Sequence, residues 1–98
     1  MTKYAKVFQE MIQKHKADFE SFAKIHDLYK SDKKKYQDEF NLEGEYIMEI
    51  IRSYEKRLCS QMEKGSNSVF SAKLADKFLD TVRTVFPMID FIGSKITS

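Results

Sequence analysis

The chain has little with which to make sharp turns. Its 98 residues include three glycines and one proline, which disfavours many short strands and favours long helices. It has one cysteine, Cys59, so no internal disulfide can form. Beside Arg57, that thiol reads as a small apolar filler sooner than as a nucleophile. There is no Glu-x-x-His pair, no His-x-x-x-His and no second cysteine, so the usual bundle di-metal and zinc ligand sets are missing and no cofactor is implied. No serine sits in a Gly-x-Ser-x-Gly setting and no glycine-rich loop could cradle a phosphate, which leaves enzymatic activity without positive support. No window approaches the ~18 consecutive apolar residues of a membrane-spanning helix. The N-terminus is amphipathic rather than leader-like, and the expected location is cytoplasmic. An excess of one charge is also missing: 17 basic residues face 15 acidic ones, for a net charge of +2. Nucleic-acid binders usually show a stronger basic bias.

What is present is apolar periodicity. Apolar residues make up 42% of the chain and eight are phenylalanines, enough to argue against disorder and for one domain over residues 1–98. Tyr4, Phe8, Met11, His15, Phe19, Phe22, His26 and Tyr29 recur in steps of three and four, which places them on one helix face. Tyr36, Phe40, Glu43/Gly44, Ile47, Ile50/Ile51, Tyr54, Leu58 and Met62 form a second stripe, and Leu74, Ala75, Phe78, Val82, Val85, Phe86 and Ile89 a third. The spacing predicts helices over 3–29, 33–64 and 70–86 and a short segment over 87–93. Short loops make successive helices antiparallel, giving an all-α, up-down-up three-helix bundle.

Particular residues set the expected boundaries. Ser31-Asp32 offers a cap between the first two helices. Lys33, Lys34 and Lys35 then stand in a first helical turn, where the macrodipole disfavours cations. Either the helix starts later or the lysines meet an acid. Asn41 to Gly44 is a weak point, but the stripe keeps its phase across it. A continuous helix would put Gly44 on the inner face, where a neighbour can approach closely. Lys64-Gly65 reads as a helix stop, and Pro87 either kinks or ends the third helix.

Four groups of residues carry candidate function. His15 and Glu43 interrupt apolar stripes, and a buried unpaired polar group costs ~1–3 kcal/mol. A turn centred near Ser31 brings Glu43 level with Glu20. A second turn, near Asn67, brings Asp90 level with Gly44 and Phe19. His15 then lies about one helical turn (~5–8 Å) from both carboxylates, so His15, Glu43 and Asp90 are an interior ligand or metal cluster, unless each simply satisfies itself. His15 and His26 are ~16 Å apart along a helix and cannot share an ion. Phe86, Met88, Ile89, Phe91 and Ile92 crowd apolar side chains after a proline break, as a partner surface or as a cap over the bundle's end. Lys30, Lys33, Lys34 and Lys35 cluster beside Tyr29 and Tyr36, a weak nucleic-acid surface or a solvated corner. Arg57 comes level with Lys77, within reach of Asp76 or Asp80, and Arg52 and Arg83 stand near Glu49 and Glu55. No motif points to a named family. The leading expectation is a small non-enzymatic helical module that binds a protein partner or a second copy of itself.

Overall fold

A computed structural model describes residues 2–62 and 68–93, with side chains placed at 2–58 and 73–93. Four helices and a 3-10 turn follow in order: α1 (Lys3–Lys14), α2 (Lys16–Ser31), α3 (Lys33–Met62), α4 (Ser68–Val85) and the turn Ile89–Phe91. Among the described residues there is no strand. The fold is a small helical bundle. The expected stop at Lys64-Gly65 and the surroundings of Cys59 lie outside what is described.

The bundle departs from expectation at one joint. The first stripe does not form one helix over 3–29: the chain leaves helical geometry at His15, with φ −113° and ψ 35°. The imidazole packs edge-on against Tyr54 of α3, with ring centroids 5.7 Å apart. Its Nδ1 lies 3.6 Å from Asp18 in the first turn of α2, where a carboxylate suits the helix dipole. The stripe keeps its phase because one residue is bent and none is added or lost. The bend lets α1 pack on both α3 and α4 while α2 packs along α3.

The other boundaries follow local chemistry. Thr2 caps α1, its hydroxyl accepting from the Ala5 amide at 3.3 Å. Asp32 caps α3, its Oδ1 accepting from the Lys35 amide at 3.1 Å. α3 therefore starts at Lys33 despite three lysines, because the capping carboxylate sits among them. It runs unbroken through Asn41 and Gly44. α4 ends at Val85 rather than kinking, since the residue before a proline is pushed out of the helical region.

The core is built from aromatic rings. Phe40 of α3 stacks on Tyr29 at 4.0 Å and on Phe22 at 5.6 Å. Phe86, just past α4, meets Phe22 edge-on at 5.0 Å and lies over Phe19 at 6.0 Å. Met11, Ile47, Ile51, Leu58, Phe78 and Val82 continue the core along the bundle. Gly44 is buried against the C-terminal segment rather than against another helix. A Cβ built on it would lie 2.6–2.8 Å from three side-chain carbons of Ile92.

Candidate functional site

The three residues of the expected interior cluster go to three different partners. His15 faces Tyr54 and Asp18. Glu43 accepts a long hydrogen bond, 3.4 Å, from the Ser21 hydroxyl. That contact matches the expected register to within one residue. Asp90 binds the Arg83 guanidinium through both oxygens, at 2.9 and 3.2 Å. His15 is thus opposite a position eleven residues further along α3 than Glu43, ~16 Å in helical rise. The bend at His15 turns α1 away from the line that the register assumed. Among the described residues, no group of three or more His, Cys, Asp or Glu side chains could hold a metal ion.

The residues expected as a partner surface mostly close the bundle. Phe86 and Ile89 are buried, Met88 and Ile92 are half-buried, and Phe91 alone among them is largely exposed. Three polar contacts hold this segment down. The Met88 amide donates to His26 Nε2 at 3.1 Å, the Gly93 amide donates to Asn41 Oδ1 at 2.8 Å, and Asp90 binds Arg83. Gly93 takes a φ of +87°, which suits a residue without Cβ. Asn41 Oδ1 also accepts from Gln37, and Gln37 Oε1 accepts from the Tyr29 hydroxyl at 2.9 Å. A polar chain therefore links α2, α3 and the segment.

The charged groups also depart from the expected pairings. Lys30, Lys33, Lys34 and Lys35 are all exposed, and the Lys33 ammonium sits 4.9 Å over the Phe91 ring. Arg57 reaches Glu10 of α1 at 3.2 Å rather than Asp76 or Asp80, because α1 is the helix packed beside it. Arg83 bridges Asp80 and Asp90 rather than meeting Glu49 or Glu55.

Two surfaces were missed by pattern reading. One is an open apolar groove of about 480 Å³ between α2 and the end of α4, with Ile12 and Gln13 of α1 at one side. Its walls are Phe19, Ala23, Val85 and Phe86, its mouth carries Lys16, Glu20 and Asp27, and His26 is part of its lining. His26 is 3% exposed. Burial draws its pKa below the ordinary value; Asp27 opposes that and Lys30 adds to it. In the stripe, His26 looked like any core position; its acceptor role depends on a contact 62 residues away.

The other missed surface lies on the far side of α2. Leu42 is 72% exposed and Tyr46 53% exposed, one turn apart on α3. With Asp18, Ser21, Phe22, Glu43 and Ile47 they line a second groove of about 370 Å³. Between Lys35 and Arg52 the helix carries Asp38, Glu39, Glu43, Glu45 and Glu49 and no basic residue. This charge run was legible in the sequence.

Among the described residues no helix is long and apolar enough to cross a membrane. No protein-family model, no curated protein and no solved structure matches the chain.

Proposed function

We propose that the chain is a small non-enzymatic interaction module whose α3 face, centred on Leu42 and Tyr46, receives a basic, apolar-anchored segment of a partner protein. The carrying observation is that pair of large apolar side chains held out of the core beside a groove. Exposed apolar patches rimmed by polar groups mark contact surfaces. The charged side chains lining the groove are both acidic, Asp18 and Glu43, and α3 carries five carboxylates and no basic residue from position 38 to 49, which favours a lysine- or arginine-bearing partner and speeds its encounter.

A lysine- and leucine-rich amphipathic helical peptide and its glutamate counterpart serve as probes, titrated by fluorescence anisotropy. The basic peptide is expected to bind and to weaken as salt rises, and the acidic peptide is expected not to bind. Leu42→Ser with Tyr46→Ser is expected to weaken the basic peptide at least tenfold. Binding that ignores these substitutions removes the reading. A concentration-dependent dimer abolished by them, seen by sedimentation, would make the occupant a second copy of the chain.

A further inference from the structure

The regular structure of residues 88–93 is a single 3-10 turn, so their closure over the bundle rests on contacts with other helices. The Met88 amide donates to His26 Nε2 of α2 at 3.1 Å, the Gly93 amide donates to Asn41 Oδ1 of α3, and Ile92 lies against Gly44. The Asp90–Arg83 pair joins the segment to α4 and does not hold it to α2 or α3. One of these ties is sensitive to mild acid. An imidazole that accepts on Nε2 is neutral, with its own proton on Nδ1, and Nδ1 faces the Asp27 carboxylate at 3.9 Å. A second proton goes to Nε2 and occupies the lone pair that holds Met88. Two N–H groups then meet head-on. Turning the ring over is no remedy, because an imidazolium has two donors and no acceptor. The ring is also packed in place by Phe22, Phe40 and Phe86, at centroid distances of 6.0, 6.1 and 5.5 Å. The charged groups that act on it stand on its own helix: Asp27, which favours the added proton, and Lys30, which opposes it. α3 sets the Phe40 ring against it, and the chain beyond α4 sets Phe86 and the Met88 amide, none of which titrates.

We propose that residues 88–93 form an acid-opened flap: protonation of His26 at Nε2 expels the Met88 amide, and the segment swings off α2 and α3 while the helices stay folded. Opening presents Ile89 and Ile92 to solvent, together with the Gly44 face of α3 that Ile92 covers. The stack of Tyr29 on Phe40 and the Tyr29–Gln37 hydrogen bond do not involve the segment, and local openings cost less than global unfolding. In the closed form, burial draws the His26 pKa below its ordinary value. The open form exposes the ring to water and titrates near ~6.5. The open form therefore takes up the proton first as pH falls. The open-to-closed ratio rises by up to about tenfold for each pH unit below ~6.5, until the closed ring is protonated too.

The test titrates the full chain, labelled with 15N and 13C, from pH 7.5 to 5.0 at constant ionic strength. Three signals are followed: the His26 imidazole shifts, the Overhauser contact between Ile92 methyls and the Gly44 α-protons, and the contact between the Tyr29 and Phe40 rings. The Ile92–Gly44 contact is expected to fade along the same curve as His26 protonation while the Tyr29–Phe40 contact persists. Exchange of the Met88 amide, corrected for the intrinsic effect of pH, is expected to speed up by as much as tenfold per pH unit. His26→Gln keeps an uncharged acceptor that takes no proton in this range, and is expected to stay closed at pH 5.0. Should that variant fail to fold, Asn41→Ala in a chain that keeps His26 weakens closure from the α3 side and is expected to move the opening curve to higher pH. The proposal is overturned if His26 becomes charged with the Ile92–Gly44 contact intact, if that contact is lost only together with the Tyr29–Phe40 one, or if neither changes down to pH 5.0. It is equally overturned if a folded His26→Gln chain opens as the parent does, or if Asn41→Ala leaves the curve unmoved. Each outcome is independent of whether a peptide docks at Leu42 and Tyr46.

Discussion

At neutral pH the His26 ring is uncharged, because its Nε2 accepts a backbone proton and burial holds its pKa low. The unfolded chain takes up the proton first as pH falls below about 6.5. Stability from this group is therefore complete above that pH. It is lost as acidification passes through the ordinary value, until the folded ring is protonated too. The urea midpoint should fall between pH 7.5 and 5.5. His26→Leu should lower it at pH 7.5, by about 1–3 kcal/mol for the orphaned Met88 amide, and should flatten its pH dependence. Glu55 has the opposite sign. Burial raises its pKa, Arg52 opposes and Asp76 adds, so its charged form is a cost at neutral pH that protonation removes. Glu55→Gln should raise the midpoint at pH 7.5 and lose that advantage near pH 4. Gly44 is a residue whose worth depends on another. Alanine in a helix interior gains ~1 kcal/mol over glycine, but its Cβ would meet Ile92, a β-branched side chain with little freedom to yield. Gly44→Ala should therefore stabilise the Ile92→Ala chain by about 1 kcal/mol and fail to stabilise the parent. Denaturation of the four chains measures that coupling.

Among the elements, α3 was the most legible from sequence. Its stripe passes through Asn41 and Gly44 without changing phase, and the helix follows it. The break between α1 and α2 was not legible. No glycine or proline marks His15, and the bend depends on Tyr54 and Asp18, one of them on a different helix. Pro87 left open whether the third helix would kink or end, and whether the displaced Phe86 has rings to join. It does: Phe86 meets Phe19, Phe22 and His26. Phe86→Ala should cost about 3–5 kcal/mol, the range for large core aromatics. Val85→Ala, one residue earlier but 49% exposed, should stay within about 0.5 kcal/mol. Thermal denaturation distinguishes the two. The candidate sites show the same division. Spacing placed Glu43 near its true level on α2, while the separation of His15 from it came from the bend.

The whole molecule measures 48 × 28 × 18 Å, and its long axis is close to the ~45 Å length of the 30-residue α3. α1 and α2 share that spine end to end, α4 packs on α1 and α3, and the C-terminal segment closes the end where α2, α3 and α4 meet. Two amides of that segment, Met88 and Gly93, are held by side chains of α2 and α3 rather than by a helical ladder. Hydrogen exchange should find both protected well above exposed turn amides, and Asn41→Ala should release Gly93 while leaving the centre of α3 slow.

The lateness of Phe86 in the chain has a cost during synthesis. Phe19, Phe22 and Phe40 emerge before it, so the nascent polypeptide presents an open aromatic cluster while α3 and α4 are still being made. Until residue 86 leaves the ribosome that cluster is a site for wrong partners, chaperones included, and a pause in translation after Phe40 has emerged and before Phe86 does would lengthen the hazard.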